Sequence, residues 1–419
     1  MIKHLLTLIW NQRNGNIWIF LELLLVTAML WVMADSLLVD TYTYQQPLGY
    51  DITNTYSVEF NKEFDSSSPD SVQNIEADSE NYLRLLDKLR HCPEVEAVGL
   101  SVAAIPYTYS CRYRNGLISE NDTAYNSQVW RWYVATPDYC RVFRMKTPDG
   151  KPLYDEIMRH SGNVVLPENV VEGLFGTLGT VLKKVKTDPK ANAMEVAAVM
   201  QPMREREFDK AIGHYLTCLK TDQEVSDLIA ERGIYYTQCV LRMKDGFKAE
   251  DMNAFLQAQG ERLQEGSLYV STMKPISEYR ADMLKPRWDN QKKKIAMVGF
   301  MLVNIFFGIV GTFWLRTQSR RAEIGLRAAL GASKRQLRRE LFLEGLFLLA
   351  LTLPFLLIFL VNMLYLDMPD TYRLAYTWWR FLITLSVSYL LMGGMIYLGI
   401  RIPANKITRM NPAETLHYE

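Results

Sequence analysis

The sequence predicts an α-helical membrane protein with four transmembrane helices and a large α+β domain between the first and the second. Three observations carry that class. Residues 17–38, 295–315, 341–366 and 381–402 are four mostly apolar runs. At ~1.5 Å per residue, each is long enough for the ~30 Å hydrocarbon core of a bilayer. Residues 39–294 contain no such run and are punctuated by Pro, Gly, Asp and Ser, the residues of turns. Residues 316–340, between the second and third runs, hold eight Arg or Lys against only Glu323 and Glu340.

Composition narrows the function classes. A chain of 419 residues accommodates two or three structural units. A net charge of +1 argues against nucleic acid as a partner, since the basic residues are concentrated locally. All five cysteines (Cys92, Cys111, Cys140, Cys218, Cys239) fall in 39–294, and none are spaced C-x-x-C, so no zinc site is expected. One or two disulfides fit an oxidising compartment, with Cys218 and Cys239 the favoured pair; buried free thiols are the alternative. The five histidines (His4, His91, His160, His214, His417) lack metal-ligand spacing. Neither H-E-x-x-H nor G-x-S-x-G occurs, and no G-x-x-x-x-G-K-[ST] cradles a phosphate. The chain is therefore expected to be no enzyme and to bind no metal and no cofactor of its own.

Residues 1–16 carry Lys3 and Arg13, no acid, and an apolar cluster around Leu5, Leu8 and Trp10; they read as a cytoplasmic amphipathic segment. Residues 17–38 follow as a retained anchor. A cleavable signal peptide ending near Ala34-Asp-Ser36 is the rival, but the run is longer than a usual signal core and Glu22 interrupts it. Asp35, near the outer end, is expected to meet water. Glu22 is expected to reach the interface, a functional intramembrane carboxylate being the other reading.

Within 39–294, residues 52–60 alternate as a strand, 80–90 have a helical period and 95–102 read as a second strand. The pattern recurs as strand 235–243, helix 248–262 and strand 267–272. Two β-α-β units, near 52–102 and 235–272, bracketing an insertion at 105–220, predict an α+β domain with a mixed sheet. Residues 295–315 form the second span; Gly308 and Gly311 give it small surfaces for close helix packing, with lipid-facing filler as the alternative. Lys292, Lys293 and Lys294 fall outside, outweighed by the eight basic residues on the far side.

In 316–340, Ile324, Leu326, Ala328, Ala329 and Leu330 make one amphipathic face. Gly331 stands where a helix end takes a left-handed residue, and Ser333 with Gln336 makes a capping box for the next helix. A basic helix lying on the membrane surface is the plain reading; a coupling helix receiving force from a cytoplasmic partner is the sharper one. The third span, 341–366, contains Pro354, which favours a kink. Glu344 enters this span within reach of an Arg of the basic stretch. A short outer loop, 367–380, ends at Trp378 and Trp379, and 381–402 is the fourth span. The cytoplasmic tail, 403–419, returns Lys406 and Arg409. Its length argues against a signalling domain and so against a membrane-anchored sensor.

Two phrases carry a resemblance. Arg321-Ala-Glu-Ile-Gly-Leu-Arg-Ala-Ala-Leu-Gly-Ala-Ser-Lys-Arg-Gln-Leu337 and Pro403-Ala-Asn-Lys-Ile-Thr-Arg-Met-Asn-Pro-Ala-Glu-Thr-Leu416 resemble the signature and tail of permeases of the MacB/FtsX-like ABC transporter family. More faintly, Thr136-Pro-Asp-Tyr-Cys-Arg-Val-Phe143 and Asn163-Val-Val-Leu-Pro-Glu-Asn-Val-Val-Glu-Gly-Leu-Phe-Gly176 resemble its periplasmic core domain, with Phe143, Leu166, Leu174 and Phe175 expected in the core. The resemblance implies a bacterial inner-membrane protein with a periplasmic domain, paired as a homodimer or with a paralogue. It also implies ATP on a separate ATPase subunit, since only sixteen residues precede the first span, where the best-known relative carries a fused ATPase. On that reading Arg320, Arg321, Glu323 and Arg327 make polar contacts to the ATPase, Ile324 and Leu326 anchor it, and Gly331 and Ser333 form the hinge. Implied activities are mechanotransmission for efflux of peptides or antibiotics, with a periplasmic adaptor and outer-membrane channel as further partners, or extraction of lipoprotein. The alternative is FtsX-like regulation of cell-wall hydrolases.

Overall fold

The structure is a computed structural model that describes residues 13–63, 75–108, 113–120, 128–176, 183–319, 323–324, 326–327 and 330–408. It divides into two compact units, Gln45–Pro286 and Met1–Tyr44 with Arg287–Glu419.

The first unit is built on two interleaved β-α-β halves. Helix α1, Arg13–Gln45, ends where this unit begins, and strand β1, Thr55–Lys62, follows. Next come helix α2, Ile75–Arg90, and strand β2, Val95–Val102. The closing half is β9, Gln238–Met243, then a helical segment, the short β10, Gln264–Glu265, and β11, Leu268–Pro275. In the sheet the order is β10-β11-β1-β9-β2, and every neighbouring pair here is antiparallel. β9 thus lies between β1 and β2, and β1 between β9 and β11, the split β-α-β arrangement of ferredoxin-like folds. On α2, Tyr82, Leu85, Leu86 and Leu89 fall at i, i+3, i+4 and i+7, and all four are buried against Val58, Val98, Leu241 and Leu268 of the sheet. The helix expected over 248–262 is broken into 3₁₀ turns at Ala249–Asp251 and Gly260–Leu263 around a helix at Met252–Gln259. Gly260 ends it with φ of +43°, where a side chain would be strained.

The insertion closes on itself. Its strands are β3, Arg114–Ser119; β4, Gln128–Ala135; β5, Val164–Pro167; β6, Lys184–Lys186; β7, Met194–Met200; and β8, His214–Cys218. They pair in the order β4-β3-β6-β7-β5-β8, and β8 returns to β4, making a six-stranded ring without a free edge. Parallel pairs occur at β4–β8 and β5–β7, so the sheet as a whole is mixed. Leu117, Val164, Leu166, Val170, Val185, Val196 and Tyr215 fill this part as one cluster. Of the four residues expected in the core, Phe143 and Leu166 are fully buried, while Leu174 and Phe175 are half-buried against that cluster. A short helix, Pro137–Val142, lies so close on β2 that a Cβ at Gly99 would stand 2.5 Å from the Tyr139 backbone.

The favoured Cys218–Cys239 disulfide is not formed. Both thiols are free and buried, as are Cys92 and Cys140; Cys111 lies outside the described residues. Cys239 packs in the ferredoxin-like core and Cys218 in the cluster around Phe143 and Tyr139, so each serves as a small apolar filler.

The second unit contains four helices long and apolar enough to cross a membrane. They are α1; Ile276–Ser319, whose first residues belong to the other unit; Lys334–Tyr365; and Trp378–Thr408. The second begins well before the expected span at 295–315, because the charged residues 285–294 continue the helix through Pro286. Ile19, Leu23, Ile305, Ile309, Phe313, Leu348, Met392 and Ile396 join the four helices in one apolar cluster. Trp18, Phe300, Phe307 and Leu390 are exposed on their outer surfaces.

His214 yields a test of the α+β unit. Burial, then the positive charge of Arg131, lowers its pKa to about 4 from an ordinary 6.5. Between those values the unfolded chain takes up a proton that the native imidazole does not, so stability falls as pH falls. The slope is about 1.4 kcal/mol per pH unit and the full effect about 3 kcal/mol. Unfolding of the full chain measured from pH 7 to pH 4.5 is expected to show this loss, and a His214→Phe variant is expected to lack that part of it.

Candidate functional site

The basic hairpin between the second and third apolar helices is built by two caps. Gly331 has φ of +96°, and the Ala332 N–H donates to the Arg327 carbonyl at 3.0 Å. This is the six-to-one bond of a Schellman motif, which a left-handed glycine permits. Two residues on, the Ser333 hydroxyl accepts from the Gln336 N–H at 3.2 Å and the Gln336 side chain accepts from the Ser333 N–H at 2.8 Å. The capping box starts the helix at Lys334 without a spacer. Arg327 then bridges the two arms, donating to Glu323 at 2.6 Å and to Glu340 at 2.8 Å.

The hairpin separates residues that the sequence had grouped. Ile324 is buried against Leu337 and Ala332 of the same chain, so it holds the hairpin closed. Leu326 and Leu330 are instead 52% and 80% exposed. Arg320 and Arg321 lie outside the described residues.

Glu344 meets Arg316 at 2.7 Å, as its position one turn into the helix suggested; Glu344 is buried and the Arg316 side chain is 10% exposed. The other charges depart from expectation. Asp35, expected in water, is buried, and its two carboxylate oxygens accept from Arg380 Nε and Nη2 at 2.7 and 2.6 Å. The remaining Arg380 nitrogen donates to the carbonyls of Asp370 and Leu374. Beside it, Asp40 accepts from Lys294 and from Arg373, each at 2.7 Å, and Arg373 also pairs with Asp370. Lys294 reaches the Ser36 hydroxyl as well. Three acids and three bases from α1, the second helix, the loop after Tyr365 and the fourth helix thus neutralise one another.

Sequence reading missed Arg373, Arg380 and Asp370 because each looked like ordinary loop or span-end polarity. Their signal was a sign pattern: Asp35 and Asp40 at one span end, with Lys294, Arg373 and Arg380 at the matching ends of two others.

Glu22 lies against Gly308, where an added Cβ would stand 2.1 Å from its Oε1; the glycine makes room for a carboxylate within the bundle. Gly311 has nothing within 4 Å of its Cβ position and is no packing surface among the described residues. Close approach occurs instead at Gly345, where an added Cβ would stand 2.7 Å from Ile396 and Ile400, and at Gly399, where it would stand 2.7 Å from Ile309.

Removing one member of the Asp35–Arg380 pair strands a buried charge. Asp35→Leu or Arg380→Met alone is expected to cost about 3–5 kcal/mol. The double variant is expected to lose clearly less than the sum. Thermal unfolding of the four proteins of this cycle in detergent checks it, and strict additivity would show that the two residues do not act together.

Comparison with known proteins bears on the C-terminal region. Residues 295–412 match the family model described as FtsX-like permease C-terminal. No curated protein sequence matches the chain. Among solved structures, the periplasmic region of MacB from Actinobacillus actinomycetemcomitans is 14% identical, over 59% of this chain and 98% of that one, with a TM-score of 0.32. The extracellular domain of the noncanonic ABC-type transporter YknZ from Gram-positive bacteria is 11% identical, over 52% of this chain and 100% of that one, with a TM-score of 0.30. At those scores neither carries an argument about this chain. The family match covers the hairpin and the three apolar helices around it, so residues 295–412 are similar to the C-terminal domain of FtsX-like permeases.

Proposed function

We propose that the chain is the membrane-spanning subunit of an ABC-type transporter, driven by a separate ATPase subunit that binds the hairpin between the second and third helices. The observation that carries this reading is the hairpin itself, within the FtsX-like domain at 295–412. It presents Leu326 and Leu330 beside a concentration of positive charge. Its two caps and the Arg327 bridge make it stiff where it joins the third helix. A load applied at Leu326 then turns the helix that starts at Lys334, since the junction has no slack residue to absorb it.

In this proposal the hairpin is cytoplasmic, residues 39–294 face the periplasm, and two permease subunits, identical or paralogous, work with two ATPases. The motion serves export of peptides or antibiotics, or extraction of lipoprotein, at the outer domain. The side chains in the helical unit support motion over a pore. Thr27, Thr317, Thr384 and Ser388 each turn their hydroxyl back to a carbonyl of their own helix.

Affinity purification of the tagged full chain in mild detergent tests the assignment. A stoichiometric ATPase with a phosphate-binding loop is expected. Leu326→Glu with Leu330→Glu is expected to lower its recovery at least tenfold, while conservative Ile324→Val leaves it in place. If no ATPase appears even after crosslinking, the proposal is wrong.

A further inference from the structure

The loop from Pro202 to Asp209 in the α+β unit makes an unusual set of bonds. Arg204 is buried, and its guanidinium donates to the carbonyls of Pro47 at 3.1 Å, Glu207 at 2.8 Å and Asp209 at 3.2 Å, and to that of Gln46. Its own N–H donates to the Leu48 carbonyl at 2.9 Å. Tyr50 adds a bond from its hydroxyl to the Glu205 carbonyl at 3.0 Å. Between them, Gly49 takes φ of +86°, and a Cβ there would stand 2.6 Å from the Pro202 carbonyl. Residues 46–50, where the chain enters the unit, are therefore fastened to a loop about 155 residues away in sequence, as the Tyr50 bond spans.

The same loop fastens the place where the chain leaves. The buried Glu207 carboxylate accepts from Arg280 Nε, on the helix that begins at Ile276. It also accepts from the Tyr107 hydroxyl at 3.0 Å. Tyr107 is buried with φ of +62°, a strained conformation for a bulky residue that its surroundings must enforce. Its ring stands edge-on to Tyr50, centroids 6.4 Å apart. The path from exit to entry is thus short: Arg280, Glu207, Tyr107, Tyr50, with Arg204 closing the loop on Gln46 and Pro47.

Neither residue suits a merely space-filling role. A forked guanidinium satisfies four carbonyls from two segments, which a lysine ammonium with three donors does not. A buried carboxylate is held by a base and a phenol 173 positions apart in the sequence.

We propose that the loop 202–209 is a clasp that joins the entry and exit segments of the α+β unit into one mechanical piece, with Arg204 holding the entry and Glu207 the exit. A displacement of the helix at Arg280 is then delivered to residues 46–50, and the unit moves as a body on both of its connections. The consequence for transport rests on the permease reading; the clasp itself does not.

Hydrogen–deuterium exchange on the full chain in lipid nanodiscs tests it. Glu207→Gln removes the charge that holds Arg280 and keeps the backbone carbonyl to which Arg204 donates. It is expected to speed exchange about tenfold or more in peptides covering 276–284 and also in those covering 46–51. Acceleration confined to 276–284 would overturn the clasp. Arg204→Lys is expected to give the mirror result, with loosening at 276–284 as well as at 46–51. Should the variants fail to fold, the wild-type chain decides the matter in increasing urea: the two segments open together if they are clasped, and separate midpoints exclude it.

Discussion

A charge placed in an apolar helical bundle has to be neutralised inside it. Water is not at hand to solvate it, and an isolated ion in a low-dielectric surrounding is several kcal/mol or more out of balance. In this protein the constraint is met most fully at Asp35 and Arg380, whose side chains are 6% and 1% exposed. The two-pronged geometry is one that only a guanidinium supplies, and the leftover Arg380 donor is taken up by loop carbonyls. Once that pair exists, the fourth helix, α1 and the loop between Tyr365 and Trp378 have one mutual arrangement that leaves no charge stranded. Asp40, Lys294, Asp370 and Arg373 extend the same logic to the second helix. At the opposite end of the second and third helices, Arg316 and Glu344 repeat it with a single pair.

How much of this was legible in the sequence follows from which forces are local. Helix caps are local, and Gly331, Ser333 and Gln336 sit where their residue types put them. Apolar period is local too, so the four long helices and the strand–helix–strand halves could be read directly. Strand order is not local. That β9 inserts between β1 and β2, and that β8 returns to β4 to close a ring, depends on pairings between residues more than a hundred positions apart or across intervening strands. The fate of a polar residue is equally non-local. Asp35 near a span end looked wet because its partner lies 345 residues away. Gly308 and Gly311 looked alike in sequence, yet only Gly308 faces another side chain, because three residues on a helix turn it by most of a revolution but not onto the same neighbour.

The same distinction explains the hairpin. A stretch such as 324–330 has an apolar face by period alone, and sequence assigns the whole face to one purpose. The fold divides it. Ile324 is spent on Leu337, a contact that exists only because the Schellman turn brings the second arm back across the first. Leu326 and Leu330 remain outward. Closing the hairpin on one residue and displaying two others gives a surface of fixed shape, which on the proposed function would reduce the ordering that binding an ATPase requires.

On the proposed function, this organisation suits movement of helices as bodies. The buried hydroxyls bond back to their own helices, and Thr352 also meets the Tyr389 hydroxyl at 3.1 Å. The charges gather at the ends, where Asp35 with Arg380 and Glu344 with Arg316 tie helix to helix. Between those ties the contact is apolar apart from Glu22 against Gly308, and includes the tight crossings at Gly345 and Gly399. Apolar surfaces resist separation but bear small sliding shifts, whereas paired buried charges resist both. On the proposed coupling, a load entering at the hairpin would be taken up by sliding of the helices between their tied ends.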